Sequence, residues 1–159
     1  MTDLDRFDRE LLNLVQEDSG QTAESLAAQV ALSPSAIQRR LRRMREEGVI
    51  AREVAVVDAA KVGRPTFFIA SLQLEQERPE HLNQLGAWLQ AQPAVQQAFY
   101  VTGQADFVLV LTAPDTASYE AFMSRMMIEH PNIKRYTTSV ALNVVKRGLA
   151  IPVPPAPAV

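Results

Sequence analysis

The sequence predicts an α+β fold in two parts, a helical unit followed by a unit in which strands and helices alternate. Apolar residues recur at three- and four-residue spacing through residues 5–60, the signature of helices with one buried face. From Phe67 onward, β-favouring runs alternate with helical patterns in the order β-α-β-β-α-β. Between them, Asp58-Ala59-Ala60-Lys61-Val62-Gly63-Arg64-Pro65 reads as a connector. Residues 1–58 are therefore assigned to the helical domain, 59–65 to a linker, 66–148 to the sheet domain and 149–159 to a proline-rich tail.

In chain order, Asp3 and Asp5 are candidate caps for a first helix whose inner face carries Phe7, Leu11, Leu14 and Val15. Ser19-Gly20-Gln21-Thr22 breaks it, and a shorter helix from Ala23 turns Leu26, Ala27 and Val30 inward. After a tight corner at Ala31-Leu32, Ser33-Pro34 opens a third helix. A serine N-cap accepts a hydrogen bond from a free backbone N–H, and proline at the first helical position loses only an N–H that had no partner. Ile37, Leu41 and Met44 form its apolar stripe, and Gly48 ends it. Two short helices joined by a brief turn, the second basic outside, is a helix-turn-helix layout of winged-helix-like type. Val54 to Val57 is a β-favouring run.

In the second half, Phe67–Leu74, Val95–Thr102, Phe107–Thr112 and Tyr136–Val145 are expected strands. Leu82, Leu85, Trp88 and Leu89 mark one helix; Tyr119, Phe122, Met123 and Met126 mark another, capped by Asp115. That order is the ferredoxin-like one, with both helices on one face of an antiparallel sheet. Phe107 to Leu111 is apolar at both strand parities, which requires burial on both faces. The simplest second cover is another copy of the sheet, so a homodimer is expected. Pro152, Pro154, Pro155 and Pro157 keep the tail from pairing in a sheet and leave it disordered or extended.

The chain has 159 residues, a net charge of -2 and a pI near 5.7, which does not suggest a nucleic-acid binder. Residues 1–60 hold eight basic against eleven acidic side chains. Positive charge is instead focused: Arg39, Arg40, Arg42, Arg43 and Arg45 fall within seven residues of the third helix. Surface helices usually mix signs for i,i+4 pairing, so this segment is a candidate duplex-binding element. With no cysteine there are no disulfides or thiolate metal sites, and His81 and His130 lie too far apart in sequence to suggest zinc. Both are expected at the surface. No export signal or membrane-length apolar run is present, so the expectation is a soluble, cytoplasmic protein without cofactor.

The chain resembles the Lrp/AsnC family of transcription regulators over nearly its whole length, to about Leu149. The resemblance is carried by Leu4-Asp5-Arg6-Phe7-Asp8-Arg9, Leu32-Ser33-Pro34-Ser35, Arg40-Leu41-Arg42-Arg43-Met44 through Gly48-Val49-Ile50, and Val101-Thr102-Gly103-Gln104-Ala105-Asp106. It implies a DNA-binding domain joined to a small-molecule sensor, assembled as dimers and often as tetramers or octamers, with an amino acid as a frequent effector.

Roles follow from position on the third helix. Ser35, Ala36, Gln38 and Arg39 occupy the first turns, where a recognition helix meets base edges, with Ser33 at their start. Gln38 suits adenine and Arg39 guanine by bidentate hydrogen bonds. Arg42 and Arg43 are assigned to phosphates, and Arg40 to either DNA or an acidic neighbour in the domain. Gly103-Gln104-Ala105-Asp106 is by its residues a turn between strands. An amino-acid ligand would find a carboxylate for its ammonium in Asp106, and backbone N–H groups for its carboxylate, which Gly103 leaves unshielded. The resemblance implies that this turn and Thr138, Ser139 and Val140 of the last strand line an effector pocket between dimers. Gln104 stands where many members have aspartate, and Ser139 where some have a larger side chain. Two other classes compete: an enzyme, for which no nucleophile, acid–base pair or phosphate loop is apparent, and a metabolite-binding module whose helical domain is only an interaction surface.

Overall fold

The computed structural model describes residues 3–63 and 65–155. Met1 and Thr2, Arg64 of the expected linker, and residues 156–159 of the tail, Pro157 among them, lie outside the described residues. Contacts divide the chain into two compact units, Met1–Val56 with Lys146–Val159, and Val57–Val145.

The first unit contains α1 (Arg6–Glu17), α2 (Ala23–Ala27) and α3 (Pro34–Glu46). Each starts on a side-chain cap. Asp5 accepts from the N–H groups of Phe7 and Asp8, while Asp8 accepts from the N–H of Asp5, a reciprocal capping box. Thr22 caps α2, and Ser33 caps α3 with Pro34 following. Gly48, just past the Glu47 C-cap of α3, has φ +71°, the left-handed conformation that favours glycine. Leu11, Leu12, Leu26, Val30, Ile37, Leu41 and Met44 close the core.

The second unit contains β1 (Thr66–Leu74), α4 (Pro79–Gln90), β2 (Val95–Tyr100), β3 (Phe107–Ala113), α5 (Thr116–Glu129) and β4 (Ile133–Val140). The antiparallel sheet has the order β2-β3-β1-β4, so the predicted ferredoxin-like topology is present. α4 and α5 seal one face of the sheet, packing Leu85, Leu89, Met123 and Met126 over Phe68, Ala70, Leu72, Leu109 and Leu111. The Phe68 and Tyr119 rings stack at 4.1 Å.

Two element assignments need correction. The last strand runs Ile133–Val140, not Tyr136–Val145. Its partner β1 sets both limits: Ile133 pairs with Leu74 at one end, Val140 with Phe68 at the other, and the Ala141 N–H still reaches the Phe67 carbonyl. Beyond that point only Thr66 of β1 remains, so the expected strand through Val145 has no partner along most of its end. Val54 to Val57 forms no strand either. Its β-favouring side chains have no neighbouring strand among the described residues, and Val54, Val56 and Val57 are exposed.

Candidate nucleic-acid interface and effector site

Helical geometry sorts the residues of α3 into three faces. Ile37, Leu41 and Met44 are buried in the core. Arg40 and Arg43 turn toward α1. Ser35, Gln38, Arg39 and Arg42, at spacing i, i+3, i+4 and i+7, share the exposed face.

The α1-facing arginines are held by one buried carboxylate. Asp8 is 1% exposed; its Oδ1 accepts from Arg40 at 2.8 Å and its Oδ2 from Arg43 at 2.6 Å. Arg40 also reaches Asp5 at 2.8 Å. A buried carboxylate is tolerated only when paired and fully hydrogen-bonded, and both Asp8 oxygens meet that condition. The hydrogen bond from Arg40 to Asp8, outweighing the cost of burial, raises the guanidinium's pKa further above its ordinary value. For Asp5, burial pushes the carboxyl up. The N–H of Asp8, the Arg40 guanidinium and the N–H of Phe7 together outweigh it and hold the group below the usual carboxylate range.

This changes the expected division of labour. Arg43, assigned to phosphate from its position, sits on Asp8 and lies 3.9 Å from Glu47. Arg40 takes the acidic-neighbour option left open by the sequence. Arg45 pairs with Glu53 at 2.7 Å. Ser33 is occupied by its cap to Ala36 and by a 3.1 Å contact with the Ser35 hydroxyl, and Ala36 is half-buried. Gln38, Arg39 and Arg42 are exposed and make no hydrogen bond or ion pair among the described residues. Asp8 was the residue that sequence reasoning missed, although Asp5-x-x-Asp8 is a capping-box spacing.

In the sheet unit, the 103–106 turn is built into the fold. Gly103 has φ +119°. The Asp106 N–H donates to the Leu72 carbonyl at 2.8 Å, its Oδ2 accepts from the Leu74 N–H at 2.6 Å, and Gln73 donates to the Gln104 carbonyl. One carboxylate oxygen is thus already engaged in fastening β3 to β1. Ala105 is half-buried beside it. Thr138 bonds the Tyr119 hydroxyl at 2.6 Å on the helix side, Ser139 stands opposite Ile69 on the other face, and Val140 opposite Phe68 is 48% exposed. The turn adjoins the β3 side of β1, and Thr138 to Val140 the β4 side. One chain does not gather the six residues into a single pocket.

His81 and His130 are not simple surface residues. Both are half-buried and line one cleft with Leu74, Gln84, Glu129 and Asn132. His81 Nδ1 and His130 Nε2 have no hydrogen-bond partner there. Burial pulls the His130 pKa down, against the opposing charge of Glu129. No group of three side chains suited to a metal occurs among the described residues. Likewise, no helix among them is long and apolar enough to cross a membrane.

Comparison with known proteins bears on both units. Residues 68–151 match the Lrp/AsnC ligand binding domain, and residues 4–51 a winged helix-turn-helix DNA-binding domain. The chain is 42% identical to the HTH-type transcriptional regulator y4tD of Sinorhizobium fredii, over 95% of this chain and 89% of that one. It superposes on the crystal structure of an AsnC family transcriptional regulator from Agrobacterium tumefaciens with TM-score 0.85 and 32% identity, covering 94% and 97% of the two chains. A Neisseria meningitidis transcriptional regulator, solved as a complex with L-Met, shares the fold at TM-score 0.83 and 23% identity, with 94% and 97% coverage.

Proposed function

The chain belongs to the Lrp/AsnC family of DNA-binding transcriptional regulators, and from that premise we propose how its two units divide the work. It is a regulator rather than an enzyme, with a helix-turn-helix reading head and a ligand-binding domain.

The reading head meets duplex DNA through Ser35, Gln38, Arg39 and Arg42. The observation that carries this is the split of the arginines: Asp8, with Asp5 and Glu47, pairs with Arg40 and Arg43, while Arg39 and Arg42 keep charge unpaired among the described residues on the exposed face. Arg39 reads guanine and Gln38 adenine in the major groove; Arg42 neutralises a phosphate. Arg40, Arg43 and Ser33 act behind them by fixing the angle and start of the helix.

Two such heads act together. The sheet face not covered by helices carries Ile69 (41% exposed), Phe99 (51%), Val108 and Val110. A contiguous apolar patch of this kind marks an interface, and a second copy supplies an equally apolar face. A twofold dimer sets two α3 helices about one helical turn apart along the duplex.

The effector is an amino acid or a related small metabolite, supported by the L-Met complex of the Neisseria protein. It binds where the turn containing Gly103, Ala105 and Asp106 meets Thr138, Ser139 and Val140 of another copy, which calls for a tetramer or octamer. Binding alters DNA affinity to the extent that the ligand prefers one assembly over another.

The test is recovery of genomic fragments by the wild-type chain and by the Arg39→Ala/Arg42→Ala double variant, followed by thermal-shift screening against the amino acids. Wild type should enrich a discrete set of fragments and the variant none. Equal enrichment by both would remove the exposed α3 face from the account.

A further inference from the structure

Segment 151–154, expected to be disordered or extended, lies along α1 in a regular arrangement. Asn13 Nδ2 donates to the Val153 carbonyl at 3.0 Å, and the Val153 N–H donates to Asn13 Oδ1 at 3.0 Å. Three residues along the helix the pattern repeats. Gln16 Nε2 donates to the Ile151 carbonyl at 3.0 Å, and the Ile151 N–H donates to Gln16 Oε1 at 2.9 Å. At the other end Arg9 Nη1 donates to the Pro154 carbonyl at 3.1 Å. Val153 packs against the core of the helical unit.

The chemistry of both partners fits this arrangement. A primary amide carries a donor and an acceptor side by side and so matches the N–H and C=O of one extended residue. Arg9, Asn13 and Gln16, at i, i+4 and i+7, form one stripe. Residues 151 and 153, two apart on an extended strand, present their N–H and C=O groups to the same side. Proline occupies 152, where no N–H is needed, and 154, where only the carbonyl is used. Because proline fixes φ, the segment loses less conformational entropy on docking than a free chain would.

We propose that the Arg9–Asn13–Gln16 stripe of α1 is a docking site for an extended segment with proline at alternate positions. Its occupant is the chain's own Ile151–Pro154, acting as a clasp on the DNA-reading unit. The chain's own segment is favoured over a separate peptide because it is tethered at high effective concentration and already lies on the stripe. The clasp matters for reading because α1 also carries Asp8, which orients α3 through Arg40 and Arg43.

Residue-resolved amide hydrogen exchange on the full chain tests this. The Ile151 and Val153 amides should be protected in wild type. Asn13→Ala should speed exchange chiefly at Val153 and Gln16→Ala chiefly at Ile151, each by about tenfold for the pair of hydrogen bonds removed. A chain ending at Gly148 should melt lower and regain its melting temperature when a peptide of residues 149–155 is added. Unprotected amides in wild type would overturn the clasp. So would equal, global acceleration in both variants, or protection that vanishes on dilution, which would make a second copy the occupant. If the shortened chain does not fold, the two point variants still decide.

Discussion

The two units leave opposite kinds of surface unfinished. In the helical unit the apolar core is closed and the α1-facing arginines are paired, yet Arg39 and Arg42 project charge with no counter-ion among the described residues. In the sheet unit the turn and strands are tied by hydrogen bonds, yet Ile69, Phe99, Val108 and Val110 remain uncovered. An exposed guanidinium is well solvated and can await a partner, giving salt-dependent, reversible binding. An exposed apolar face is costly to leave in water and favours a lasting one. The first deficit fits an intermittent polyanion, the second another copy of the chain.

The comparison breaks most sharply on the sheet. Val110→Asp places a carboxylate on the open face, and burying it unpaired costs several kcal/mol. Self-association should fall by about a thousandfold or more, giving monomers in sedimentation equilibrium where the proposed assembly of the wild type would give dimers or larger species. An unchanged mass would show that the face is covered in some other way.

The next effect belongs to the buried network. Arg40→Ala leaves Asp8 with one guanidinium and should destabilise the helical unit by about 2 kcal/mol in denaturant melts, the worth of a hydrogen bond to a charged group. A change within experimental error would mean that Arg40 does not hold the domain together. Arg39→Ala should leave stability intact and shrink discrimination between cognate and scrambled duplexes by about 1–3 kcal/mol. A uniform loss of affinity for both duplexes would instead assign Arg39 to phosphate.

The smallest effect is acid sensitivity at the α1 cap. The folded pKa of Asp5 is depressed below the ordinary value of 3.8. Its contribution is therefore fully present above that value and lost as pH falls through the lower, folded one. Melts between pH 5 and pH 2 should show a modest acid-dependent loss that Asp5→Asn removes, since asparagine still caps but carries no charge. The same slope in the variant would locate the acid-sensitive group elsewhere.

Much of this was legible in the sequence because it is local. Ser33-Pro34, the Ile37-Leu41-Met44 stripe and Gly48 define α3 through neighbours within one or two turns. The β-α-β-β-α-β order follows from period alone. What escaped depends on partners distant in the chain. Asp8 lies 32 residues before Arg40 and is chosen by how α1 packs on α3. The end of β4 is set by where β1 runs out, not by the β propensity of Val144 and Val145. Proline in the tail excludes a sheet but does not reveal a helix whose amides accept an extended chain. The effector residues were readable as a turn and a strand, but no single chain joins them.

The central claim is that neighbouring arginines of α3 do different work, Arg42 facing DNA and Arg43 bracing the fold. Arg42→Ala and Arg43→Ala should be compared side by side, each by duplex titration across several salt concentrations and by thermal melting. The account predicts that Arg42→Ala keeps its melting temperature while the slope of log affinity against log salt falls by about one, and that Arg43→Ala melts lower. A destabilised Arg42 variant with its salt slope unchanged, beside a fully stable Arg43 variant, would contradict it.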